Sequence, residues 1–436
     1  METNKIETNF FIRGHHMSIN MTQFRRLSKR RKDEKIYEIK PIGSAIKFRR
    51  KELKMTLEEG AQGICSISYL SKLENNLIEP NIDFVDQLIK RFDINENSYV
   101  EFDHYIDDLN LLLSLKLGQK KPHIDFTKSY TERKDYQSLL IQMCYYSLIE
   151  EDVEVIKAYS DLKTFIPNLN HFEYSLMLLS LSDVFIRNDK FQDAYELLLF
   201  EPISNDNIEN ISILMRRNRL ICAFYTNKIS EIIGNYQNYL DILYQSQNYH
   251  LIHEISKKYT FYMAYYQSPE HIMKKLNYLN SFSDSDKNAL LVKTYYFNHQ
   301  YEKIVELMSN DSLDNKESLM FYLMSLDILK NKTKLKEVIK ILDHKNLCFS
   351  TKALIIYLEN KLSSDSNQML NYLRTEIIGL KKYTDHYILL EYLMMDAQNI
   401  FALHHHYKES SQVTKDLIPV LKNLRKEKIL KIDEDL

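Results

Sequence analysis

The chain has 436 residues, 44% of them hydrophobic, which excludes a disordered protein, and it is too long for one compact core. Only 7 glycines and 7 prolines occur, too few for the hairpins and phosphate loops of a strand-rich or nucleotide-binding fold, so an all-α protein is expected. The formal net charge of −2 hides an asymmetry: residues 1–96 sum to +4 and the remainder to −6, with 13 Lys and Arg against 4 Asp and Glu over residues 19–54, which points to an anionic partner at that end.

Residues 1–36 carry little pattern. Arg25-Arg26 and Lys29-Arg30-Arg31-Lys32 form a basic run with few apolar anchors, which reads as an arm along phosphates or as a flexible leader, with a true start at Met17 or Met21 as a further alternative. From Ile42 the pattern changes. Ile42, Ile46, Arg49, Arg50 and Leu53 fit one face of a first helix, preceded by Pro41. Thr56 and Glu59 have the spacing of a capping box, opening a second helix over residues 57–62 that Gly63 ends. Ser66 caps a third helix to Asn75, with Ile67, Leu70 and Leu73 as an apolar stripe and Ser68, Tyr69, Ser71 and Lys72 as a polar face. After Pro80 a fourth helix carries apolar Ile82, Val85, Leu88, Ile89 and Phe92. Two short helices joined by a tight turn, the second with a small polar face, suit the DNA major groove, which is about 12 Å wide. Short serine side chains permit close approach, and Lys72 can donate to guanine O6 and N7 or to phosphate.

The run TLEEGAQGICSISYLSKLENNLIEP, residues 56–80, resembles the Xre-type helix-turn-helix family, and the likeness extends over residues 42–94. Its GICS.SYLSKLEN core is most similar to the PlcR/NprR branch of peptide-responsive regulators. By motif position the resemblance implies Ile67, Ser68 and Lys72 as base readers, and Ser66, Ser71 and Asn75 as phosphate contacts or caps. Tyr69 shares their helix and completes the DNA-binding set. The chain departs from the family at Gly60, where a leucine is usual, so a small void or shift under the third helix is expected. The DNA-binding domain is placed at residues 37–106, after a basic, flexible leader at 1–36.

After Phe92 the pattern is helix after helix. Residues 95–98 and 118–122 read as connections, and the apolar helix at 109–117 as the core of a linker over 107–121. Beyond it a loose unit recurs: an apolar-aromatic helix, a short polar turn, and a second helix with anchors three residues apart. Phe191 and Ala194 mark the clearest copy, NDKFQDAYELL. Val153 and Ile156, Ile229 and Ile232, Glu270 and Met273, Tyr301 and Ile304, and Leu335 and Val338 mark weaker ones. Successive second anchors lie 38, 38, 41, 31 and 34 residues apart, around the period of roughly 34 of tetratricopeptide repeats. Two more pairs are expected near residues 360–378 and 386–424. The expected fold class is therefore all-α, an N-terminal helix-turn-helix domain followed by a tetratricopeptide-like α-solenoid at 122–436. Stacked pairs curve around a concave groove. Counting back from each second anchor puts Tyr145, Asp183, Arg187, Arg217, Tyr225, Lys258, Tyr262, Tyr265, Lys293, Tyr296 and Asp327 on that face. Such a lining can clamp an extended peptide by its backbone and termini. A tyrosine on a repeat helix is more often core than contact; the charges are the stronger signal, because burying them is costly.

This plan resembles the RRNPP family of cytosolic quorum-sensing receptors. The resemblance implies a short imported signalling peptide as ligand, double-stranded DNA as partner, a homodimer matching a palindromic site, and a cytoplasmic location. Two alternatives stay open: a switch whose repeats sequester a protein partner, and a phage or mobile-element repressor without a peptide ligand.

Chemistry is absent from the pattern. Cys65, Cys144, Cys222 and Cys348 lie far apart with no C-x-x-C pair, against a zinc or thioredoxin-like site and in keeping with a reducing cytosol. No nucleophile-elbow, phosphate-loop or dinucleotide motif occurs. His404-His405-His406, on a helix, would point about 100° apart and not converge on one ion. No cofactor, no metal and no enzyme activity are expected. No apolar run approaches the roughly 18 residues of a membrane span.

Overall fold

The computed structural model describes residues 21–29, 42–75, 77–94, 102–118, 120, 130, 135–200, 210–276, 282–309, 316–342, 347–363, 366–377 and 386–424. Met17, Arg30-Arg31-Lys32, the connection at 95–98 and most of that at 118–122 lie outside them. Among the described residues every element is helical, and no helix is long and apolar enough to cross a membrane. The chain divides into two compact units: Met1–Val184 with Glu196–Met215, and Phe185–Tyr195 with Arg216–Leu436.

The first unit opens on α1 (Met21–Ser28), inside the segment expected to be a patternless leader. Its Phe24 is 1% exposed, with its ring centroid 5.4 Å from that of Phe200 and 6.4 Å from that of Tyr174. One aromatic ring buried in this way anchors a short helix that its own periodicity does not announce. Arg25 reaches Glu196 at 3.4 Å, so this cation faces the protein.

Next come α2 (Ile42–Glu52), α3 (Leu57–Ala61), α4 (Ile67–Glu74) and α5 (Ile82–Phe92). The locally coded features are in place. Glu59 N–H donates to Thr56 Oγ1 at 3.2 Å and Thr56 N–H to Glu59 Oε2 at 2.6 Å, the reciprocal capping box. Gly63 adopts φ +76°, the left-handed conformation that favours glycine. Ile42, Ile46, Ala61, Leu70, Leu73, Leu88, Phe92 and Ile94 form one core. Leu53, Ile67 and Ile82 are exposed instead, Ile82 by 76%. Ile67 and Ile82 are first residues of their helices. Helical side chains lean towards the N-terminus, so these two overhang the helix end with no turn beneath them.

Gly60 leaves no void. A Cβ there would lie 3.0 Å from Arg50 Cδ and 3.1 Å from both Leu70 Cδ2 and Phe92 Cζ. The Arg50 stem occupies the space. Its guanidinium is buried, donating to both carboxylate oxygens of Glu74 at 2.6 and 2.7 Å and to the Met55 carbonyl at 2.7 Å. α2 thereby grips α4 through a bidentate ion pair.

Helix α6 (Phe102–Leu117) begins earlier than the 109–117 segment. Helix pairs follow: α7 (Tyr136–Leu148) with α8 (Asp152–Leu162), then, after a 3-10 turn at Lys163–Asn168, α9 (His171–Arg187) with α10 (Phe191–Leu198), and α11 (Asn210–Thr226) with α12 (Ile229–Gln245). Then come α13 (Tyr249–Met263) with α14 (Pro269–Leu276), α15 (Asp284–Phe297) with α16 (Tyr301–Ser309), and α17 (Lys316–Ile328) with α18 (Lys332–Ile341). Last are α19 (Phe349–Leu362) with α20 (Ser366–Tyr372), which starts well before residue 360, and α21 (Tyr387–Leu403) with α22 (Tyr407–Leu424).

The turns between these helices share one device. Glu150, Asp189, Asn227, Gln247, His299, Lys330 and His405 all have φ between +54° and +65°. In each case the next residue's N–H bonds the carbonyl five positions back, as in Lys228 to Ala223 at 3.0 Å and Asn331 to Leu326 at 2.9 Å. This is a Schellman C-cap built without glycine, and it explains how so many turns coexist with so few glycines. The three consecutive histidines form such a turn rather than part of a helix: His404 caps α21 and His405 is left-handed.

Candidate functional site

α4 is held at both ends. Ser66 Oγ accepts the Tyr69 N–H at 3.0 Å, closing the first turn. Asn75 Nδ2 donates to the Ser71 carbonyl at 2.7 Å, closing the last. Between the caps, Leu70, Leu73 and Glu74 are buried while Ser68 and Lys72 are exposed and Ser71 half-buried. Ile67, at 48% exposure, stands with them and not in the core. The outer face of α4 thus presents one methyl-bearing side chain, two hydroxyls and one ammonium. Ser66 and Asn75 act as caps, closing the helix ends through Ser66 Oγ and Asn75 Nδ2. Tyr69 serves as a prop: its hydroxyl accepts the Asn81 N–H at 2.8 Å and its ring meets Phe84 edge-on at 5.1 Å. Arg91 donates to the Gly60 carbonyl at 3.2 Å and also to that of Gln62, fixing the turn between α3 and α4. Sequence patterns could not show this role, because Arg91 lies on another helix.

The residues expected on the repeat face separate in the structure. In the first unit Asp183 is buried, ion-paired with Lys116 of α6 and accepting the Ser147 hydroxyl at 3.3 Å. Its charge is neutralised within the fold. Tyr145 is half-buried, its ring 5.7 Å from Tyr146.

In the second unit Arg217 faces Glu254 at 3.7 Å. Asp327 accepts from Lys361 at 2.5 Å and from the Tyr392 hydroxyl at 2.6 Å, while the same ammonium bonds Asp396 at 2.5 Å. Both expected charges are therefore internally compensated. Burial pushes the Tyr392 phenol well above its ordinary range, the adjacent Asp327 charge adding to the shift. Tyr262 is buried and donates to Asn227 Oδ1 at 2.9 Å. Tyr296 donates to Met324 Sδ at 3.6 Å, and the Lys293 ammonium lies 5.8 Å from the Phe261 ring centroid. Arg187 is half-buried.

Tyr225, Lys258 and Tyr265 remain. The Lys258 ammonium lies 5.8 Å from the Tyr225 ring, which stacks on Phe191 at 4.2 Å. Lys258 has no ion-pair partner among the described residues. Tyr225 and Tyr265 meet His386 and Tyr387, at 6.3 and 6.5 Å, across most of the unit's sequence. Asp189 Oδ2 likewise accepts the Ser350 N–H at 2.9 Å and its hydroxyl at 2.6 Å. Helix layers advance roughly 10 Å each, so a straight stack of pairs would hold such residues far apart. The second unit instead brings Asp189, Tyr225 and Tyr265 against Ser350, His386 and Tyr387, late in its sequence.

Among the described residues no group of three or more His, Cys, Asp or Glu could hold a metal ion.

Residues 46–97 match a family model described as helix-turn-helix, HTH_3. This segment is a helix-turn-helix domain. No curated protein matches the chain. The crystal structure of Bacillus thuringiensis PlcR in complex with the peptide PapR7 and DNA is similar at 14% identity, covering 62% of this chain and 96% of that one, with a TM-score of 0.30. Likeness at that score fixes no arrangement for this chain.

Proposed function

We propose that the chain is a sequence-specific, DNA-binding transcription regulator of the cytoplasm, acting as a homodimer and controlled by a short signalling peptide bound in its tetratricopeptide-like repeats. The observation that carries the DNA half is the outer face of α4. Ile67, Ser68 and Lys72 are exposed on a helix whose caps and core are otherwise complete. A short capped helix with small polar side chains and one flexible cation can approach base edges in the major groove. The peptide half is supported by the second unit, where Lys258, with no ion-pair partner among the described residues, lies beside the Tyr225 ring, which meets those of Phe191 and His386.

Selection of a randomised double-stranded DNA pool by the full chain tests the DNA half. One sequence family should be enriched, with affinity falling steeply as salt rises. Lys72→Ala should lose about 1–3 kcal/mol of discrimination at one base position. Uniform weakening on all duplexes would make Lys72 a phosphate contact, and no enrichment would defeat the reading. For the peptide half, mass spectrometry of ligands retained on protein purified from its native cells should recover a short peptide, and Lys258→Ala should abolish that recovery.

A further inference from the structure

The 3-10 turn at Lys163–Asn168 touches the end of α4. Asn75, the C-cap, is held from three sides. Its own amide closes the last turn on Ser71. Its Oδ1 accepts from the Lys47 ammonium of α2 at 2.8 Å. Its backbone carbonyl accepts from Asn168 Nδ2. Asn168 is only 6% exposed. The Lys47 ammonium also lies 4.6 Å from the centroid of the buried Phe165 ring, which stacks on Tyr136 of α7 at 6.0 Å. Pro167 sits between Phe165 and Asn168 and stiffens the turn.

We infer that Asn168 is a positioning residue for DNA recognition, gripping the C-cap of α4 so that the setting of the base-reading helix follows the repeat helices α8 and α9. This rests on the reading of α4 as the recognition helix. The last carbonyls of a helix have no partner within it, so whatever bonds them sets where that end lies. A displacement of the α4 end by about 1 Å would move Ser68 and Lys72 off base-edge hydrogen-bond geometry, which tolerates only a few tenths of an ångström. Lys47 ties both sides together, since one ammonium serves the C-cap and the Phe165 face. Burial, with repulsion from Lys51, lowers its pKa to about 8, as befits a cation packed between elements rather than free on the surface.

The test compares Asn168→Ala and Asn168→Asp in the full chain by hydrogen exchange at residues 70–75. Asp keeps the volume but sets a carboxylate against the Asn75 carbonyl, so it should accelerate exchange more than Ala: about 10-fold or more, against roughly 3- to 10-fold for loss of one hydrogen bond. A packing role alone reverses that order, because Ala leaves the larger gap, and would overturn the inference. Exchange unchanged in both variants would overturn it too. Phe165→Leu, which keeps apolar bulk but uncovers Lys47, should accelerate the same amides, and it decides the matter if Asn168→Asp unfolds the whole unit. On the DNA enriched by wild-type protein, Asn168→Asp should bind about 10-fold more weakly with an unchanged salt slope, since no phosphate contact is removed. A pool that yields no enriched DNA counts against the proposed function, while the exchange experiment still decides the grip.

Discussion

The helix-turn-helix segment and the second unit are both all-helical, yet they are held together differently. In the first, α3, α4 and α5 carry side-chain caps in their own sequence: Thr56 with Glu59, Ser66 and Asn75, and Asn81. A single apolar cluster lies beneath, with one buried ion pair, Arg50 to Glu74, threaded through it. In the second, polar groups on helices distant in sequence do much of the joining. Lys361 bridges Asp327 and Asp396, with Tyr392 and Tyr357 donating to the same carboxylates. Asp189 holds Ser350 across 161 positions of sequence. A small recognition domain is assembled from local signals and must hold one helix still. An array of helix pairs is closed by polar contacts between helices far apart in sequence.

The sharpest way to break this contrast is Arg50→Met. It strands the buried Glu74 carboxylate and should cost about 3–5 kcal/mol. Amide exchange should rise across α2–α5 and DNA binding be lost, with α15–α21 unaffected; equal acceleration in both regions would mean that they unfold as one. The counterpart is Lys361→Met, which leaves Asp327 and Asp396 without their shared cation. The expected loss is about 2–3 kcal/mol, below the fully buried figure because Lys361 keeps some contact with solvent. Exchange should now rise over α17–α21 while the selected DNA is still bound, and adding Asp327→Asn should recover part of the stability.

Gly60→Leu restores the residue usual in the family and sharpens the account of the recognition domain. With Arg50, Leu70 and Phe92 already at van der Waals limits, overpacking should destabilise by about 1–3 kcal/mol; a raised denaturation midpoint would show that a void exists after all. The smallest effect is expected at an exposed repeat turn. Lys330→Gly relieves a left-handed φ of +57° and should stabilise by about 0.5–1 kcal/mol, seen as a higher denaturant midpoint with an unchanged slope.

What the amino-acid order determined by itself is what depends on near neighbours. The capping box of Thr56 and Glu59, the helix boundaries from Leu57 to Glu74, and the starts of second helices at Phe191, Ile229 and Tyr301 follow from hydrogen bonds and apolar spacing within one or two turns. The glycine-free turns were not legible because Glu150, Gln247 and Lys330 carry no residue signal for a left-handed φ, and Asp189, Asn227 and His299 only a weak one. Only tertiary structure decided which charges face solvent. Asp183, Arg217 and Asp327 sit where a repeat pattern predicts a lining, but Lys116, Glu254 and Lys361 arrive opposite them from other helices. A buried charge is prohibitive alone and tolerable when paired, and pairing across helices is invisible to periodicity. The same holds for α4. Its caps could be read in the sequence, whereas the grip of Asn168 on its end exists only once the repeat helices have folded against it.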